Sequence, residues 1–286
     1  MKILVACEES GTVREAFRAL GHNAWSCDFL PTRIPGQHYQ CDVREVLGYG
    51  WDMMIAFPDC TYLTIAAEWA YVDVPMINGK VKNIKPGTLI GSERRQARKE
   101  ALDFVRLLLN ADIPKIALEN PVGVISKHIR KFDQKIQPWQ FGHDASKGTC
   151  LWLKNLPVLN HTNIINPAGW SLVRYAHDNI ACPDCGEPYC EIHNMHYWEC
   201  PCIGPTQDDA TYKKIDGYEF ATLDSHPKKP VWGNQTPSGQ NNLGPSKNRA
   251  RDRSVTYKGI AQSMAQQWGE LSNYTCSGQQ EQLPLM

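Results

Sequence analysis

Two residues in this chain have the types and the surroundings for covalent chemistry, Cys60 and Glu119. The apolar run that ends at Phe57-Pro58-Asp59 predicts a strand delivering Cys60 just past its carboxyl end. A second apolar strand, predicted over Pro114–Leu118, delivers Glu119 at the equivalent place, followed by Asn120-Pro121. In an open α/β sheet two such ends face one crevice. A thiolate and a carboxyl group meeting there suit covalent addition to an electron-poor ring, with the acid holding that ring. The plainer readings are a buried structural cysteine and a surface glutamate.

Upstream, the chain carries the elements that would position this pair. Lys2–Ala6 reads as a short apolar strand, and Cys7-Glu8-Glu9-Ser10-Gly11-Thr12 turns it into a helix over Thr12–Leu20. Gly21-His22 ends that helix, and Asn23–Cys27 reads as the second strand. Asp28 then sits at a strand's carboxyl end, where nucleotide-binding α/β folds place an acid against ribose hydroxyls. A third short strand ends at Cys41-Asp42. The helix predicted over Ser92–Asn110 carries Ala97, Ala101, Phe104, Val105 and Leu108 at the spacing of one buried face. The first turn lacks a full G-x-G-x-x-G, so hydride-transfer cofactors are disfavoured.

Composition bounds the class. In 286 residues, 42% are hydrophobic, enough for a full core in one large domain with an appendage. No stretch reaches the ~18 apolar residues of a membrane span, and the N-terminus reads as a strand rather than a signal peptide, so a cytoplasmic protein is expected. Thirty basic residues balance thirty acidic ones. That excludes a strongly basic nucleic-acid coat and leaves room for an enzyme with local basic patches.

Around Cys60 and Glu119 the chain resembles the DNA (cytosine-5)-methyltransferases, whose Pro-Cys and Glu-Asn-Val elements match in residue type, order and context. The Glu-Asn-Pro form resembles a compact branch encoded by bacteriophages. The resemblance covers residues 1–154 and 246–269. It implies a Rossmann-like sheet of α/β class that uses S-adenosylmethionine. It also implies that Cys60 attacks carbon 6 of a flipped-out cytosine while Glu119 protonates or grips ring nitrogen 3. Asn120 and Pro121 then shape the turn presenting Glu119. Glu8, Ser10 and Gly11 would line the methionine end of the cofactor, Asp28 its ribose and Asp42 its adenine amino group, with Phe57 and Pro58 alongside. Thr61–Gly91 corresponds to a segment that closes over DNA, although an insertion packed on the domain fits equally well. The run Phe141–Leu153 looks like a degraded Tyr-Gly-x-Pro-Gln-x-Arg-x-Arg element, with Lys147 at the first arginine and Thr149 at the second. Lys147, or an arginine from Arg249–Arg253, is the expected substitute for the missing charge. Asp59, where the family usually has proline, is the other departure; a carboxylate beside a thiol disfavours the thiolate.

A separate cluster, Cys182, Cys185, Cys190, His193, His196, Cys200 and Cys202, places seven potential ligands in one short stretch. The pairs Cys182/Cys185 and Cys200/Cys202 can close a tetrahedral structural Zn2+ site, with Cys190, His193 and His196 as alternatives for one member. The cluster lies where the family inserts its target-recognition region, and a metal would supply the stability that so small an insertion lacks. The expected organisation is a catalytic domain over 1–156, a zinc-stabilised insertion over 157–245 contacting double-stranded DNA, a helix over 246–270 completing the catalytic domain, and a polar tail over 271–286. That helix is predicted at Ile260–Trp268. A monomer or weak dimer is expected, in the host cytoplasm if phage-encoded, marking phage DNA against restriction.

Overall fold

The computed structural model describes residues 1–65, 67–77, 80–81, 83–172, 189–190, 195–196, 211–223, 229–236, 238, 241–244, 246 and 248–270. These form two compact units. The first comprises Met1–Gln137, Lys147–Thr162 and the chain from Ala250 onward; the second comprises Pro138–Ser146 and Asn163–Arg249.

Two short runs in the first unit, Ile3–Ala6 and Met53–Ala56, are too apolar to be half-exposed. The strands β1 (Lys2–Ala6), β2 (Asn23–Asp28), β3 (His38–Gln40) and β4 (Met53–Ala56) follow in order. After the two-residue strands β5 (Met76–Ile77) and β6 (Lys80–Val81) come β7 (Lys115–Pro121), β8 (Gln134–Ile136) and β9 (Thr149–Lys154). Ile3–Ala6 and Met53–Ala56 are fully buried, as expected of strands covered on both faces. The sheet order is β3-β2-β1-β4-β7-β9-β8. Its first five strands run parallel, and β9 pairs antiparallel with both neighbours. The result is a mixed α/β fold with a mostly parallel sheet, compatible with a Rossmann-like sheet.

Helices cover the sheet as the periodicity predicts. Among the described residues they are α1 (Thr12–Ala19), α2 (Gly91–Leu109), α3 (Ile125–His128), α4 (Arg249–Ser254) and α5 (Lys258–Gly269). Leu102, Val105 and Leu108 of α2 join Leu4, Ala6, Met54, Ala56, Ile116 and Leu118 in one core layer. α1 packs on α5, burying Val13 and Phe17 beside Ile260, Met264 and Trp268. No described helix is long and apolar enough to cross a membrane.

In the second unit, β10 (Ser171–Leu172), β13 (Thr211–Ile215) and β14 (Tyr218–Thr222) make an antiparallel sheet in the order β10-β14-β13. Its core is aromatic: Trp139, Trp170, Phe220 and Trp232, with the Trp139 and Trp232 rings stacked at 5.5 Å. β11 (Tyr189–Cys190) pairs antiparallel with β12 (Met195–His196). The expected metal ligands Cys182, Cys185, Cys200 and Cys202 lie outside the described residues, as does the tail over 271–286.

Candidate active site

β1 is where the connections reverse direction, since β2 lies on one side of it and β4 on the other. At such a switch point the carboxyl ends of the strands open a crevice. Cys60 reaches it from β4. The Phe57 N–H donates to Ala6 O at 2.9 Å, and beyond buried Pro58 the chain turns. Cys60 starts that turn, its carbonyl accepting from the N–H groups of Leu63 and Thr64 at 3.0 and 3.1 Å. Asp59 is exposed and directed forward, its Oδ1 accepting from the Thr61 N–H at 2.8 Å and the Thr61 hydroxyl at 2.7 Å.

Glu119 reaches the crevice from β7, next to β4. The strand was expected to stop at Leu118; it continues through Pro121 because β9 keeps pairing there, with Glu119 opposite Leu151 and Pro121 opposite Thr149. That antiparallel partner lies far along the chain, so nothing local to Pro114–Leu118 predicts it. One consequence is a clamp on the nucleophile loop. Asn120 is buried, and its Nδ2 donates to Pro58 O at 2.8 Å. Four residues farther on, the Val124 N–H donates to Leu63 O at 2.8 Å. A Cβ at Gly123 would stand 2.0 Å from the Leu63 carbonyl oxygen and 3.2 Å from Thr64 Cα, so only glycine allows the two loops to meet. Gly123→Ala is expected to lower stability by about 2–3 kcal/mol, read as an earlier denaturant midpoint, because the obstacle is backbone.

β9 brings the third group. The Thr149 side chain is buried and hydrogen-bonded to Glu119, and Lys147 lies within electrostatic range of both Glu119 and Cys60. Burial pushes the Glu119 carboxyl above its ordinary range, opposed by Lys147 and the Thr149 hydrogen bond. Burial likewise raises the Cys60 thiol, helped by the Asp59 and Glu119 carboxylates and opposed by Lys147. Cys60 therefore rests as a thiol. Asp59→Asn is expected to speed alkylation of Cys60 by iodoacetamide near neutral pH, and Lys147→Gln to slow it. Peptide mass spectrometry at Cys60 reads both rates.

The cofactor candidates lie at the neighbouring strand ends. Gly11 adopts φ +75°, and a Cβ there would stand 2.8 Å from Arg14 Nη2. The Glu8 carboxylate is turned onto the start of α1, accepting from the Val13 N–H at 2.8 Å and the Ser10 hydroxyl at 2.9 Å. Asp28 accepts from the Leu30 N–H at 2.9 Å, and Asp42 from the Arg44 N–H at 2.9 Å. Cys7 sits among them with φ 58°, its thiol pushed up to about 12 by burial and by Asp28, Asp42 and Asp59. The ring of Phe29, next to Asp28, is 71% exposed.

Three contacts carry no sequence motif. Glu9 is gripped by Arg33 at 2.7 Å and by Arg251, which ties the turn after β1 to α4. Arg251 is thus engaged with Glu9, not free to replace an arginine near Thr149. The segment after Cys60 packs on α2 over its described part. Arg98 donates to the carbonyls of Tyr62 and Thr64 at 2.9 and 3.1 Å and pairs with Glu68 at 2.6 Å. Arg95 donates to Tyr71 O at 2.7 Å and pairs with Asp73 at 3.1 Å. The available signal was Arg95 and Arg98 three residues apart, on a helix whose later turns are apolar.

No protein-family model matches the chain. No curated protein matches it. Among solved structures it is similar to a proposed DNA modification methyltransferase encoded within an E. coli prophage, at 12% identity and a TM-score of 0.33. That match covers 53% of this chain and 45% of the other, so it spans less than half the length of that protein.

Proposed function

We propose that the chain is an S-adenosylmethionine-dependent DNA (cytosine-5)-methyltransferase acting through a covalent Cys60 adduct. The observation that carries this reading is the arrival of a cysteine and a half-buried glutamate from adjacent parallel strands, with one lysine in electrostatic range of both. Few reactions need a nucleophile, an acid of raised affinity for protons and a shared cation in one crevice. Addition to a pyrimidine ring does.

The cofactor crevice suits a cationic ligand. Asp28, Asp42 and Asp59 all act on Cys7 at the end of β1, opposed by Arg44, which pairs with Asp42 at 2.8 Å, so a positively charged group entering there meets Asp28 and Asp59 as its unneutralised carboxylates. Gly11 keeps the turn after β1 tight, since a side chain there would collide with Arg14 and Ile34, and the exposed Phe29 offers a flat apolar face beside Asp28. Bound S-adenosylmethionine would supply an electrophilic methyl group. In this reading Asp28 accepts from ribose hydroxyls and Asp42 from the adenine amino group. Glu8 acts through the turn it caps, together with Ser10 and Gly11, and Phe57 and Pro58 form the wall between cofactor and nucleophile.

Cys60 loses its proton and its sulfur bonds to carbon 6 of cytosine. The Glu119 proton goes to nitrogen 3, so the electron pair released by addition reaches carbon 5 rather than accumulating on the ring. Asn120 holds the Pro58 carbonyl and thereby the approach of Cys60. Lys147 lowers the cost of the thiolate and offers the charge that the resembled family draws from arginine. After carbon 5 is methylated and loses its proton, the sulfur–carbon bond breaks, returning the thiolate, and nitrogen 3 gives up its proton. Zn2+ held by Cys182, Cys185, Cys200 and Cys202 would stabilise the target-recognition insertion.

Asp59, whose carboxylate opposes the thiolate, favours a second reading, a variant transferase that installs a larger group on cytosine. Nucleoside mass spectrometry of plasmid DNA from an expressing host without cytosine methylation decides between them. Deoxycytidine heavier by one methyl group supports methyl transfer to DNA, and unmodified DNA contradicts it.

A further inference from the structure

The face of α2 that holds the nucleophile loop is one anion short. Arg95 has Asp73 and Arg98 has Glu68. Arg94 is the most buried of the three, at 6% exposed, and among the described residues no carboxylate pairs with it. Its guanidinium lies 5.2 Å from the ring centre of Tyr62 and 5.0 Å from that of Tyr71. Nη1 makes one long bond to Leu89 O at 3.4 Å, and Nε is buried with no partner. A buried guanidinium is costly without an anion, and ring contacts offset only part of that cost. Five fixed donors, mostly unused, match the oxygens of a phosphate.

We infer that Arg94 binds a phosphate of the substrate, the one adjoining the cytosine presented to Cys60. This rests on the cytosine reading above and adds the group that anchors the nucleotide. Tyr62 and Tyr71 belong to the segment that follows Cys60, and the phosphate reaches Arg94 when Tyr62 swings off the guanidinium. Substrate arrival is thereby coupled to the position of the nucleophile loop. The phosphate comes from duplex DNA or from a free nucleotide, and the chemistry of the site is the same.

The test is duplex binding by fluorescence polarisation across a potassium chloride series, for the wild type, Arg94→Lys and Arg94→Gln. Binding of deoxycytidine monophosphate is measured beside that of deoxycytidine. The duplex affinity of Arg94→Gln is expected to fall about tenfold, with a salt slope shallower by about one ion. Arg94→Lys is expected to keep the slope and lose part of the affinity. A preference for deoxycytidine monophosphate over deoxycytidine that Arg94→Gln abolishes, without duplex binding, supports the phosphate site with a nucleotide source and contradicts the DNA reading. Equal losses of thermal stability in both variants, with wild-type salt slope and nucleotide preference, overturn the phosphate site and leave the cytosine reading standing. Wild-type protein that binds neither duplex nor nucleotide overturns both.

Discussion

Cys60→Ala is expected to abolish methyl transfer to cytosine, by at least about a thousandfold in kcat/KM, while cofactor and DNA affinities stay near the wild type. The size follows from the chemistry. Without a sulfur at carbon 6, carbon 5 is too electron-poor to take a methyl group, and no neighbouring side chain substitutes: Thr61 is occupied with Asp59. The substitution is structurally mild, because Cys60 is held through its backbone carbonyl and its side chain is only half-buried. Initial rates with isotope-labelled S-adenosylmethionine, beside binding of cofactor and duplex, separate lost chemistry from lost folding.

Glu119→Gln is expected to cost about 10²- to 10⁴-fold, within the usual range for a positioned acid. Its pH dependence is the more specific result. The competent pair carries a proton on Glu119 and none on Cys60. Glu119, with its raised affinity, is protonated below its own folded pKa, and Cys60 is a thiolate above its own. Moving one proton from Cys60 to Glu119 leaves the total unchanged, so the wild-type rate is flat between the two macroscopic pKa values and falls outside them. Glutamine removes one titration. The variant rate then climbs about tenfold per pH unit toward the Cys60 pKa, with no alkaline decline. A variant profile parallel to the wild type would assign the acid role elsewhere.

The meeting of Cys60 and Glu119 was legible because each follows a short apolar run, and such runs become buried parallel strands whose carboxyl ends meet. The helix now spanning Gly91–Leu109 was legible for a similar reason, from apolar residues at helical spacing. What escaped the sequence depends on partners distant along the chain. β7 runs past Leu118 only because β9 pairs with it, and Glu9 meets Arg251 across most of the chain's length. The arginines of α2 gain their partners only when the segment after Cys60 lies against them. Thr149 was read for its resemblance to a base-contacting arginine; its hydroxyl serves Glu119, a contact created by the register of two antiparallel strands.

The covalent step is tested most directly by trapping it. In a duplex bearing 5-fluorodeoxycytidine, fluorine replaces the proton that must leave carbon 5, so the adduct cannot break down after methylation. Peptide mass spectrometry of protein incubated with this duplex and S-adenosylmethionine should find one modified peptide, carrying methylated fluorocytosine on Cys60 and absent when the cofactor is omitted. An adduct on another residue, or methylated product from unmodified duplex with no trapped species, would contradict the assignment of Cys60 as the nucleophile.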